Sequence, residues 1–188
     1  MKTKALFFLI IFSNNTFPTH AQKLSPDVRA IEGALKSSVL RLTSYINYCG
    51  ASDTDTSTKE EYLERILEEF DDGATMEVSN VFTGTERVYP VKRYFRNLIY
   101  LKEEAKYSKV YFLFSGIRVA NLEPRGNNRY IATGEYTQTF QAYRGTKQVY
   151  ADITVKFSLI YVYVYDSNHF KVKFGNTTVV STQLLNKG

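Results

Sequence analysis

One cysteine, no tryptophan, two histidines and four prolines stand among 188 residues. The lone Cys49 excludes an intramolecular disulfide even in an oxidising compartment, so stability must come from packing. One histidine, His20, sits in the N-terminal stretch, which leaves His169 and Cys49 as the only soft donors, too few to build a transition-metal site. No metal and no cofactor is expected. No apolar run approaches the roughly 20 residues that span a bilayer. No Lys/Arg block breaks the even spread of charge, so the net charge of +5 does not imply a nucleic-acid partner. A nucleophile paired with a base and a glycine-rich phosphate loop are also missing.

What is present begins with a leader. Lys2 and Lys4 precede the apolar run Ala5 to Phe12, followed by Ser13-Asn14-Asn15, Pro18 and Thr19-His20-Ala21. These are the basic, hydrophobic and small-residue regions of a secretory signal, cut after Ala21. Export to the periplasm or the extracellular space is therefore expected, with residues 1–21 removed and 22–188 left as one domain. Loss of Lys2 and Lys4 brings 22 basic residues against 19 acidic ones, a net charge of +3. No membrane span then remains.

The mature chain orders helices first and strands second, which favours an α+β domain over a doubly wound parallel sheet. Val28, Ile31, Leu35, Val39, Leu42 and Ile46 recur at three- and four-residue steps and predict a long helix from Pro26-Asp27 to about Tyr48. Thr58 with Glu61 reads as a capping box opening a second helix through Tyr62, Leu63, Ile66, Leu67 and Phe70, closed by Asp71-Asp72-Gly73. Ala74 to Phe82 alternates as a short strand, and Pro90 suits the first turn of a third helix carrying Val91, Tyr94, Phe95, Leu98 and Ile99. The segment Leu63 to Val78 (LERILEEFDDGATMEV) and Pro90-Val91-Lys92 resemble the nuclear transport factor 2-like (SnoaL-like, cystatin-like) superfamily, over most of the chain from about Asp27. The resemblance implies three helices packed on a strongly curved, mainly antiparallel sheet, a cone whose cavity holds the ligand.

Long strands follow: Tyr107 to Leu122, Arg129 to Tyr143, Lys147 to Tyr165, and His169 to about Val180, separated by turn-rich stretches. Alternation predicts that Tyr130, Ala132, Gly134, Tyr136, Gln138 and Phe140 face the helices, as do Phe170, Val172 and Phe174. On the longest strand it sets Val149, Ala151, Ile153, Val155, Phe157, Leu159, Tyr161 and Tyr163 inside, and Tyr150, Asp152, Thr154, Lys156 and Ser158 outside. From Leu159 to Tyr165 both faces are apolar, which suits a homodimer packed through the outer sheet face, a covering loop or the C-terminal tail.

Tyr94, Phe95, Tyr136, Gln138, Phe157 and Tyr161 are the expected lining of the cavity, apolar bodies with a few hydroxyl and amide groups. Enzymes of the resembled superfamily, such as ketosteroid isomerase and scytalone dehydratase, use pocket Asp, His or Tyr residues as base and proton donor. The expected inner faces carry no Asp, Glu or His. Unless a bulge shifts the register, the general base is missing, and a non-catalytic protein binding a small apolar or amphipathic ligand is the favoured expectation. An isomerase- or dehydratase-type enzyme, or an interaction protein using its outer sheet face, are the alternatives; Asp152, Glu135 or Glu77 aimed inward would favour the enzyme. Asp53, Asp55, Ser57, Glu61 and Glu64 fit a calcium-loop spacing, but Thr58 stands where that loop needs glycine.

Overall fold

The computed structural model describes residues 27–51, 54–80, 83–166 and 169–185. The expected leader, together with Pro26 and Asp53, lies outside the described residues. Helix α1 (Val28–Ala51) buries Ile31, Leu35, Val39, Leu42, Ile46 and Cys49, the expected stripe extended by one turn. Val28 itself sits in the exposed first turn. Helix α2 (Thr56–Leu67) begins earlier than the capping box predicts. Asp55 is the cap: its carboxylate accepts from the Ser57 hydroxyl at 2.6 Å and from the Thr58 amide at 3.0 Å and hydroxyl at 2.8 Å. Those donors hold it well below the usual carboxylate range. Because α2 ends at Leu67, Gly73 (φ 75°) serves the turn into the first strand and not the helix end.

Strands β1 (Thr75–Asn80) and β2 (Thr85–Pro90) form a hairpin that feeds α3 (Val91–Ile99). The α3 stripe Val91, Tyr94, Phe95, Leu98 and Ile99 is buried as the spacing predicts. A short α4 (Leu101–Glu104) follows, an element the periodicity does not separate. The sheet is completed by β3 (Lys109–Pro124), β4 (Arg129–Arg144), β5 (Lys147–Val164) and β6 (Phe170–Leu184). Its order is β2-β1-β6-β5-β4-β3, antiparallel throughout except between β1 and β6. Register shifts interrupt β3 against β4 twice and β5 against β6 twice, and such bulges bend long strands. The result is the cone-shaped α+β arrangement that the resemblance implies, with helices against one face of a six-stranded mixed sheet.

Helix α1 also closes the β3 edge. Asn47 Nδ2 donates to the Phe112 carbonyl and Asn47 Oδ1 accepts from the Phe112 amide, both at 2.7 Å, in place of a neighbouring strand. Glu32 Oε1 does the same for the Val119 amide at 3.1 Å. An otherwise unpaired strand edge is thereby satisfied by side chains.

The register of β5 is the main departure from expectation. The β4–β5 hairpin opens with Arg144 opposite Lys147 and Tyr143 opposite Gln148, but Ala142 then pairs with Tyr150. Val149 is the extra residue of a β-bulge. Beyond it Gln138 lies opposite Thr154, Tyr136 opposite Lys156 and Ala132 opposite Ile160. Directly opposed residues share a face, so even-numbered β5 residues point inward with those of β4. Asp152, Thr154, Lys156, Ser158, Ile160, Val162 and Val164 are buried, while Phe157 and Leu159 are 40% and 37% exposed on the outer face. The inward placement of Phe157 and Tyr161 is thus corrected, and so is the outward placement of Asp152.

Candidate functional site

A cavity of about 400 Å³ opens between α3, α4 and the bent sheet. Its apolar wall is Leu98 and Leu101 from the helices and Phe112, Phe140, Val78 and Val179 from the strands. The inward row of β5, Tyr150, Asp152, Thr154 and Lys156, forms a polar floor, joined by Gln138 of β4 and Tyr94 of α3. Side chains two residues apart on one strand face sit roughly 6 to 7 Å apart, so Asp152 and Lys156 mark positions roughly 13 Å apart along the floor.

Asp152 Oδ2 accepts from the Tyr150 hydroxyl at 2.7 Å. Its other oxygen, Oδ1, is buried with no hydrogen-bond partner, alone in this among the buried side-chain oxygens and nitrogens of the described residues. Burial pushes the Asp152 carboxyl upward from the ordinary aspartate value, against the pull of the Tyr150 hydroxyl, the Lys156 charge and the Thr154 hydroxyl. The same contact and burial raise the Tyr150 phenol. Tyr94 donates to Gln138 Oε1 at 3.2 Å, and burial raises its phenol too, so both tyrosines stay protonated and able to donate near neutral pH.

Lys156 is 2% exposed. Its Nζ donates to the Glu77 carbonyl at 3.0 Å, touches Met76 Sδ at 3.3 Å and lies 5.3 Å from the centre of the Tyr94 ring. Desolvation lowers its amine from 10.5 to about 8. The Glu77 carboxylate is committed elsewhere, accepting from the Val179 amide at 2.7 Å.

Of the expected lining residues, Tyr94 and Gln138 meet at the cavity. Phe95 and Tyr136 face inward but belong to the neighbouring core, where Phe95 packs on Phe70 and Tyr136 on Phe114 and Phe174. Phe157 is on the opposite face, as is Tyr161, whose ring lies over Gly175 so closely that a Cβ there would meet Tyr161 Cε2 at 2.5 Å. Asp152, Lys156, Thr154 and Tyr150 are the residues that alternation missed. One signal for them was in the sequence: Ile160, Val162 and Val164 are aliphatic, whereas Tyr161, Tyr163 and Tyr165 carry hydroxyls that can reach water.

The remaining candidates are accounted for structurally. Cys49 is buried, and burial pushes its thiol up to about 11. His169 is exposed beside Tyr165, with ring centres 5.1 Å apart. Among the described residues no three His, Cys, Asp or Glu side chains converge as metal ligands, and no helix is long and apolar enough to cross a membrane.

No protein-family profile and no curated protein matches the chain. Several solved structures are similar. The hexachlorocyclohexane dehydrochlorinase LinA-type3 from Novosphingobium barchaimii LL02 is 11% identical, with 84% of this chain and 91% of that chain covered and a TM-score of 0.44. The Kfla4162 protein from Kribbella flavida is 12% identical, with 84% and 95% covered and a TM-score of 0.46. A periplasmic fragment of TraM is 9% identical, with 77% and 96% covered and a TM-score of 0.48. At these identities the likeness concerns fold alone.

Proposed function

We propose that the cavity binds a small amphipathic molecule and that Asp152 moves a proton on it, as an acid–base enzyme of the isomerase or dehydratase type. The observation that carries this is Asp152 Oδ1, a buried carboxylate oxygen without a partner on the floor of a cavity with apolar walls. The expectation of a plain binding protein rested on inner faces free of acids, and the Val149 bulge brings an acid inside. In the proposed reaction, ionised Asp152 removes a proton from a carbon of the substrate. The Tyr150 hydroxyl, already donating to Oδ2, steadies the charged form, and a raised carboxyl pKa makes the group a stronger base once ionised. The Tyr94 phenol, turning its one hydrogen from Gln138 Oε1 to the substrate, donates to charge that develops there. Residues 2–21 support export of this activity to the periplasm or beyond.

The test begins with native mass spectrometry of the protein purified from its host, to recover any small molecule lost on denaturation. That molecule is then incubated with enzyme in D2O. Deuterium entering a carbon position with wild-type protein and not with Asp152→Asn supports the proposal. A bound molecule that never exchanges, or exchanges equally with the variant, would leave a non-catalytic binding protein.

A second reading concerns the outer sheet face. Ile153, Val155, Phe157, Leu159 and Tyr161 make an apolar row there, with Glu135 opposite Phe157 on β4 and Lys173 opposite Tyr161 on β6. A second copy related by a two-fold axis would cover this row and bring opposite charges together. Light scattering reads it directly: a dimer converted to monomer by Phe157→Glu supports it, and a monomeric wild type refutes it.

A further inference from the structure

The buried amine of Lys156 is in direct contact with neutral groups only. From β1 it meets a carbonyl oxygen and a thioether sulfur, and from α3 the face of the Tyr94 ring; its cross-strand neighbours are Tyr136 and Val179. No carboxylate lies within 4 Å of it among the described residues. Asp152, two inward positions away along β5, and Glu77, whose Oε2 accepts from the Val179 amide, attract the ammonium through space without touching it. A buried ammonium with no carboxylate in contact is costly, because the through-space attraction of Asp152 and Glu77 does not offset its desolvation, and a cavity that it lines is a place where a ligand can supply a contacting charge.

We infer that the ligand is a small monocarboxylic acid whose carboxylate docks on Lys156 while its apolar body lies along Leu98, Phe112 and Phe140. This rests on the cavity of the proposed function and adds the class of molecule it takes. An acid anchored at Lys156 also reaches along the floor toward Asp152, so the carbon presented to the base lies several bonds from the carboxylate.

Calorimetric titration of the full chain with 4-phenylbutanoate and its neutral amide, 4-phenylbutanamide, tests the inference. Both should bind, the acid at least ten-fold tighter. In Lys156→Met that preference should vanish while amide binding stays within two-fold; in Asp152→Asn it should persist. Wild-type protein supplies an independent check, because the preference should weaken between pH 7 and pH 10 as the amine loses its proton. Equal binding of acid and amide, or a preference that survives Lys156→Met, would overturn the anion site and leave the cavity standing. Binding of neither probe would overturn the cavity itself.

Discussion

Replacing Lys156 with methionine should stabilise the protein at neutral pH. Lys156 is almost wholly buried, and its amine falls from 10.5 to about 8 because desolvation penalises the charged form. At about 1.4 kcal/mol per pH unit, the native ammonium is disfavoured by roughly 3 kcal/mol relative to an unfolded lysine. The penalty is fully present below pH 8. As pH rises from about 8 to 10.5 the native amine is neutral while the unfolded one still binds a proton, so the wild type gains stability until both are neutral. Methionine keeps the unbranched stem and titrates nothing, but it forfeits the hydrogen bond to the Glu77 carbonyl, worth about 1 kcal/mol. Urea denaturation at pH 7 should therefore find Lys156→Met more stable by about 2 kcal/mol, and by pH 10.5 the advantage should have disappeared. Other titrating groups are common to both proteins and cancel in the difference. A variant less stable than wild type at pH 7, or a difference that does not change with pH, would refute the claim that a desolvated ammonium sits at this position.

The β5 register can be tested by a pair of truncations: Phe112→Ala, wholly buried, should cost about 3 to 5 kcal/mol in urea denaturation, whereas Phe157→Ala should cost about 1 kcal/mol or less. The reverse order would restore the odd-numbered inner face. Asn47→Ala removes both side-chain partners of the Phe112 backbone and should cost about 1 to 3 kcal/mol, with faster amide exchange at Phe112 as the local readout. N-terminal sequencing of protein recovered from the host's exported fraction should begin at Gln22, and a sequence starting at Met1 would remove the leader.

Helices were legible because their burial repeats locally. The stripes of α1 and α3 were readable from the sequence nearly residue by residue, since a helix face depends only on neighbours three and four positions away. The limits of the long strands were legible to within a few residues from their glycine, proline and asparagine boundaries, apart from the far end of β6, whereas those of β2 were not legible. Strand faces are different in kind, because parity is inherited along the whole strand from a single register, and Val149 carries no mark of being the residue that shifts it. Choosing the more apolar face as the inner one was the economical rule, and over Asp152 to Ser158 it fails.

The failure is informative about energetics. Without the bulge, Ile153, Val155, Phe157 and Leu159 would be buried and Asp152 and Lys156 would sit in water, which is the cheaper arrangement for that half of β5. The same shift would turn Ile160, Val162 and Val164 outward, away from the helices that now cover them. One register must serve both halves, so the apolar distal half holds the strand in place while the proximal half carries two desolvated ionisable groups. Most of the inward polar stretch, Asp152, Thr154 and Lys156, lines the cavity. A local rule broken beside an open cavity is what a binding or catalytic site produces, which ties the chemistry at Asp152 and the fold around it to the same one-residue insertion.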